Sequence, residues 1–243
     1  MLSFLCVVVS KECPRFVGEF FILGGFMDKQ TRTSAYVKRL VGMAVFAALA
    51  YAVTFVFRIP VQFLTFDAKD AVLAIAGFIY GPVAAIVMSL IPALIEFISI
   101  SDTGFWGFLM NFVSSAAFSF SAALIYKYRR SLNGAIVGLF VSVLTTVGVM
   151  AVMNILVTPI YMKVPRDAVL GLLPSLLLPF NLAKALMNAA ITMLIYKPVS
   201  IALKRARLID GRVDTRFTRK SLVMLALGAV TLIVAIVIFV ILK

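Results

Sequence analysis

The sequence predicts an all-α fold, a polytopic bundle of transmembrane helices. The 243-residue chain is 63% hydrophobic and only 14% charged, outside the balance of a soluble domain. Several apolar runs approach or exceed 18 residues, the length that spans a bilayer. These runs are continuous, whereas the strands of a membrane β-barrel alternate over about ten residues. Histidine is absent and the two cysteines, Cys6 and Cys13, lie near the N-terminus. Histidine acid–base chemistry, thiolate chemistry and His/Cys metal sites within the bilayer are therefore excluded. The net charge of +13 speaks first about orientation, and no nucleic-acid partner is expected.

Residues 1–26, MLSFLCVVVSKECPRFVGEFFILGGF, lack the positive start and small-residue cleavage site of a signal peptide. Leu23-Gly24-Gly25 can be encoded by a ribosome-binding sequence of the AGGAGG type just before the codon for Met27. Translation is thus expected to start at Met27, with residues 1–26 a non-native or disordered extension. A first membrane helix is expected over about 36–57, ended by Arg58-Ile59-Pro60. The polar loop QFLTFDAKD comes next, and then an apolar stretch of about 70–80 that is too short to span and so packs inside the bundle. A Gly81-Pro82 break precedes a helix over about 82–99, and the loop SDTG one over about 105–126. The basic turn KYRRSLNG leads into a helix over about 133–157. The link TPIYMKVPRDAVLGLLPSLL, with prolines at 159, 165 and 174, reads as a structured cap that partly re-enters the membrane. Beyond it a helix is expected over about 179–200. Residues 27–207 thus form a six-helix core, 208–220 a basic cytoplasmic linker, and 221–243 an extra C-terminal transmembrane helix.

The charges orient these spans. Lys29, Arg32, Lys38 and Arg39 flank the first helix, Lys127, Arg129 and Arg130 fill one turn, and eight more basic residues lie in 197–220. By the positive-inside rule these three regions are cytoplasmic, which places the N-terminus inside and leaves room for attraction to anionic lipid. The other side holds Arg58, Lys69, Lys163, Arg166 and Lys184, with Asp67, Asp70, Asp102 and Asp167 beside them.

The polar groups of interest converge on that outer side. Asp67, Lys69 and Asp70 form either a solvated loop with a helix-capping aspartate or part of a site. Asp102 reads as an N-cap. Asn111 and Asn154 serve as helix-to-helix bonding groups or as ligand contacts. Glu96 needs a partner at its depth, either Lys184, Lys69 or a ligand. Asn181, Lys184 and Asn188 repeat at i, i+3, i+7 and share one face of an otherwise apolar helix. Lys184 fits a ligand-facing role, and Asn188, a turn deeper, fits packing. Amides offer donors and acceptors and a lysine offers three donors. Set among Phe63, Phe66, Phe97, Phe105, Trp106, Phe108, Tyr161 and Phe180, they suit a neutral, flat ligand rich in heteroatoms. On the first helix Ala44, Ala48 and Ala52 recur every fourth residue with Ala47 beside them, a face that lets another helix approach closely.

The alanine repeat, LTFDAKD before a short helix, GFIYGPVAA, SDTGFWGFLMNFVSSAAF, MNILVTPIYMKVPRD and LLPFNLAKALMNAA come in an order and spacing that resemble one family. It is the substrate-binding (S) components of energy-coupling-factor (ECF) vitamin transporters, in particular their riboflavin-binding type. The resemblance runs from about 36 to 207. It implies a six-helix membrane protein of the cell membrane that binds riboflavin near its extracellular end, with FMN as a further candidate. It also implies a shared transmembrane coupling protein, docked on Ala44, Ala48 and Ala52, which carries two ATP-binding subunits. No cofactor and no enzymatic activity are expected, and the chain has no GxxxxGK[ST] phosphate loop. Carried onto matching positions, Asn154, Asn181 and Lys184 are implied flavin contacts, and Thr65 to Asp70 a loop that closes over the ligand. Phe66, Asp67, Lys69, Glu96 and Asn111 complete the candidate substrate-binding set. Within it, Asp67 is a suitable acceptor for ribityl hydroxyls. The chain departs from the pattern in residues 1–26 and in the last span.

Three other readings compete. An S component for folate, thiamine or pantothenate would share the fold, although pantothenate lacks a ring for the aromatic end. An intramembrane enzyme would use Asp67, Asp70, Asp102 and Glu96, which lie in separate segments without a dense metal motif. A secondary transporter would couple Glu96 with Lys184, but no inverted repeat is evident.

Overall fold

The computed structural model describes residues 20–61, 64–99, 104–205 and 219–242. The chain divides into two compact units, Met1–Val41 and Gly42–Lys243. The described residues of the first are the beginning of helix α1, and all other elements belong to the second. In order, the elements are α1 (Phe20–Val56), strands β1 (Ile59–Val61) and β2 (Leu64–Phe66), α2 (Lys69–Tyr80), α3 (Pro82–Ser99), α4 (Gly104–Tyr128), α5 (Leu132–Met162), α6 (Arg166–Leu172), α7 (Leu178–Arg205) and α8 (Arg219–Leu242). Among the described residues, six stretches are long and apolar enough to cross a membrane: Tyr36–Val56, Pro82–Ser99, Gly104–Tyr128, Leu132–Met162, Arg166–Ala202 and Ser221–Ile241.

Helix α1 starts earlier than the expected 36, because no proline interrupts residues 20–56 and the polar stretch there continues the helical hydrogen bonding. Pro60 lies just past its end. This proline forces extended backbone on its neighbours, and β1 and β2 pair antiparallel with Ile59 opposite Phe66, Pro60 opposite Thr65 and Val61 opposite Leu64. The polar loop expected here is thus partly a small hairpin. Ribbons this short do not stand alone in water, so its hold on the bundle comes from packing.

Helix α2 has 12 residues, about 18 Å of helix against a hydrocarbon core of about 30 Å. Every residue from Lys69 to Gly77 is buried, and the helix lies against α3, α4 and α7, as its length predicted. It stops at Gly81, whose φ of 96° suits glycine and whose N–H donates to the Gly77 carbonyl at 2.8 Å. Pro82 then opens α3 at the position where a missing N–H costs nothing. Helix α5 begins at Ser131, whose Oγ accepts from the Gly134 N–H at 3.1 Å. The proline-rich link resolves into α6, a π-helical turn over Leu173–Leu177 around Pro174, and α7. It is a helical lead-in continuous with α7.

One part of the core joins Ala74 of α2 to Phe118, Leu139, Ala185 and Met193 of α4, α5 and α7, with Met224 of α8. A second joins Phe46 and Ala50 of α1 to Leu73 and Ala76 of α2 and Met88 of α3. Large apolar side chains such as Phe55, Val83, Ile98, Phe140 and Ile233 face outward, the inside-out arrangement that lipid permits. The linker predicted over 208–220 and the first 19 residues lie outside the described residues, apart from Arg219 and Lys220 at the start of α8.

Candidate functional site

The β2–α2 junction delivers Phe66, Asp67, Lys69 and Asp70 to one end of the bundle. On α7, Lys184 and Asn188 are four residues apart and so share a face; on α4, Asn111 and Ser115 do the same. Glu96 enters from α3. These elements meet in one buried polar network. Lys69, with no exposed surface, donates to both Glu96 oxygens, Oε1 at 2.6 Å and Oε2 at 2.7 Å. Asn111 Nδ2 donates to the same Oε2 at 3.2 Å. Asp67 Oδ2 accepts from Lys184 Nζ at 2.9 Å and lies 3.7 Å from Lys69 Nζ. Asp70 Oδ1 accepts from Ser115 Oγ at 2.5 Å.

Two lysines face three acids here, and each lysine is matched. Burial alone raises the Asp67 carboxyl, but Lys184 and then Lys69 outweigh it and hold it below its ordinary 3.8. Asp70 goes the other way: burial raises it, and Lys184 offsets that only in part. One polar atom is left over. Asp67 Oδ1 is buried and has no hydrogen-bond partner among the described residues, an arrangement that a ligand hydroxyl can complete.

The two readings of LTFDAKD are thereby separated. The loop is buried, not solvated, and α2 has Ala68 at its N-cap with no side-chain cap, so Asp67 is not a capping residue. Glu96 pairs with Lys69, one of the partners its depth required. Asn154 and Asn181 are buried, yet each Nδ2 bonds within its own helix, to the Met150 and Leu177 carbonyls at 2.7 Å. Asn154 Oδ1 also accepts from Thr158 Oγ1 at 3.1 Å. No direct bond joins either of them to the lysine–carboxylate network among the described residues. Phe66 packs with Phe180, the residue before Asn181, and with Leu64, Met187 and Phe239. Among the other aromatics, Phe97, Phe105 and Phe112 each make a ring contact with Phe108 on α3 and α4, while Phe63, like the expected N-cap Asp102, lies outside the described residues.

Sequence reasoning undervalued Asn188. It is fully buried, accepts from the Ala71 N–H at 3.0 Å and donates to the Asp67 carbonyl at 3.1 Å. It bonds α7 to the first turn of α2, as a packing residue would, and also tethers the loop before it. Ser115 was missed altogether, although its place four residues after Asn111 was a signal.

Comparison with known proteins places this geometry in context. The family model for the substrate-specific component of ECF transporters matches residues 38–196. The riboflavin transporter RibU of Staphylococcus aureus (strain TCH60) is 31% identical over 179 residues, 69% of this chain and 93% of RibU. The riboflavin transporter FmnP of Bacillus subtilis (strain 168) is 25% identical over 173 residues, 66% of this chain and 90% of FmnP. A solved structure of the S component of a bacterial ECF transporter superposes with a TM-score of 0.60 at 29% identity, covering 70% of this chain and 99% of that one. With the six apolar spans and the short sealed helix already in place, the chain belongs to the family of ECF transporter substrate-specific components, and is a multi-pass membrane protein and a transporter subunit, not an enzyme.

Proposed function

We propose that this chain is the riboflavin-binding subunit of an ECF-type importer, holding the vitamin at the extracellular end of the bundle. The observation that carries the reading is its relationship to two proteins named as riboflavin transporters, RibU covered over 93% of its length. The geometry suits the ligand. Asn154, Asn181 and Lys184 supply donors for the carbonyls and ring nitrogens of an isoalloxazine, Phe66 and Phe180 supply apolar surface, and the unpartnered Asp67 Oδ1 supplies an acceptor for a ribityl hydroxyl. Lys69, Glu96 and Asn111 hold the loop that bears Asp67. The N-terminus and the basic regions are cytoplasmic by the positive-inside rule. A coupling protein with two ATP-binding subunits docks on the exposed Ala44, Ala48 and Ala52 of α1.

Titration of riboflavin fluorescence against the purified protein is the test. Strong quenching at a 1:1 ratio is expected, and Lys184→Met combined with Asn181→Leu is expected to weaken binding at least about thirtyfold, since each substitution removes a hydrogen bond worth about 1–3 kcal/mol. A wild-type protein that does not quench overturns the function, and a double variant that binds as well as wild type overturns the site. The same titration with FMN decides whether a phosphorylated flavin is also held.

A further inference from the structure

Helix α8 lies beyond the region matched by the family model, which ends at residue 196, and no role above uses it. It is nevertheless fitted to the bundle. Met224 and Ala235 on it are buried. Gly228 lies close against α7: a Cβ there would lie 3.1 Å from the Met193 Cβ and 3.4 Å from the Ala190 carbonyl oxygen. Four residues after Ala235, on the same face, comes Phe239. Its ring meets Phe66 edge-on, with centroids 6.0 Å apart and planes at 68°.

Phe66 is the last residue of β2 and immediately precedes Asp67. It is 3% exposed, in a cluster shared with Phe180 and closed by Phe239. The hairpin is too short to hold its own shape, so Phe66 is its apolar anchor in the bundle, and α8 provides one wall of the anchor's socket.

We infer that α8 is a clamp: through Phe239 it seats Phe66, keeps the hairpin and the Asp67 loop closed, and slows the exit of bound ligand. Phe239 is a positioning residue, acting on the ligand through Phe66 and the loop. The inference rests on the reading of this loop as part of the ligand site. An edge-to-face ring pair, with the area it buries, shifts a closed–open balance by about tenfold.

The test uses the full chain in lipid nanodiscs loaded with radiolabelled riboflavin, with dissociation followed as the loss of protein-bound label after addition of excess unlabelled riboflavin. Phe239→Ala is expected to release riboflavin about tenfold faster, and Phe239→Leu, which keeps apolar bulk, by a smaller factor. Ile236→Ala, on the same helix but 46% exposed, is expected to match wild type. Amide hydrogen exchange without ligand gives an independent readout: residues 64–71 are expected to exchange faster in Phe239→Ala while α4 and α5 do not change. Unchanged exchange at 64–71 overturns the clamp, and faster exchange with unchanged dissociation overturns its link to the ligand. If the wild-type protein binds no riboflavin, the proposed function fails, and the exchange comparison still decides the clamp.

Discussion

Asp67 shows how much of one residue's role lies in its surroundings. It has one oxygen on Lys184 and another with no partner among the described residues, and its backbone carbonyl is bonded to Asn188. Removing one member of a buried charge pair costs about 3–5 kcal/mol, because the partner stays buried and unmatched. The lysines hold the Asp67 carboxyl below its ordinary 3.8, so its pairing stabilises the closed loop above that value and is lost as pH falls through the lowered one. Asp70, shifted upward, has the opposite sign: its contribution is present at low pH and fades as pH rises through its raised value. Riboflavin dissociation is therefore expected to accelerate below about pH 4, and Asp67→Asn to lose that acid step; stopped-flow fluorescence at about pH 3 to 7 measures both. Glu96 and Lys184 were legible in the sequence from the cost of charge at membrane depth, and Asp67 and Lys69 from their place on the outer side, where a solvated loop remained the other reading. Which lysine took which acid was not, because pairing depends on the angle at which α3 and α7 meet the loop.

Between elements, Asn188 is a join with two ends, since it ties α7 to the first turn of α2 and to the loop before it. Asn188→Leu keeps the branched shape but leaves the Ala71 N–H and the Asp67 carbonyl buried without this partner, at about 1–3 kcal/mol for each group. The expected outcome is a thermal midpoint lowered by several degrees and riboflavin binding weakened by at least about tenfold, read by differential scanning fluorimetry and quenching. The helices were legible because their apolar runs are long. The hairpin was not: its strands have three residues each and one holds a proline, so no alternating pattern builds up. The π turn before α7 escaped for a related reason, as Pro174 read as a break whereas the chain accommodates it by widening one turn.

At the scale of the molecule, one face of α1 is lined by small residues. Ala44, Ala48 and Ala52 are all exposed on α1, while Ala47 and Ala50 point into the bundle. Ala48→Leu is expected to abolish ATP-dependent riboflavin uptake in cells that supply the coupling protein, and to leave riboflavin quenching by the purified protein unchanged; loss of both would place Ala48 in the fold and not in an interface. The spacing of these alanines was legible in the sequence, but which of them faced outward needed the packing of Phe46 and Ala50 on α2. The site's wiring also fixes when it can form. The bonds from Lys184 and Asn188 to Asp67 and Ala71 join residues 117 to 121 positions apart. At about 5–20 residues per second of synthesis, Asp67 waits on the order of ten seconds for the lysine that answers it. During that interval the nascent chain carries a short, charged segment that lipid will not accept, and α2 can sink into its place only after α7 has been made.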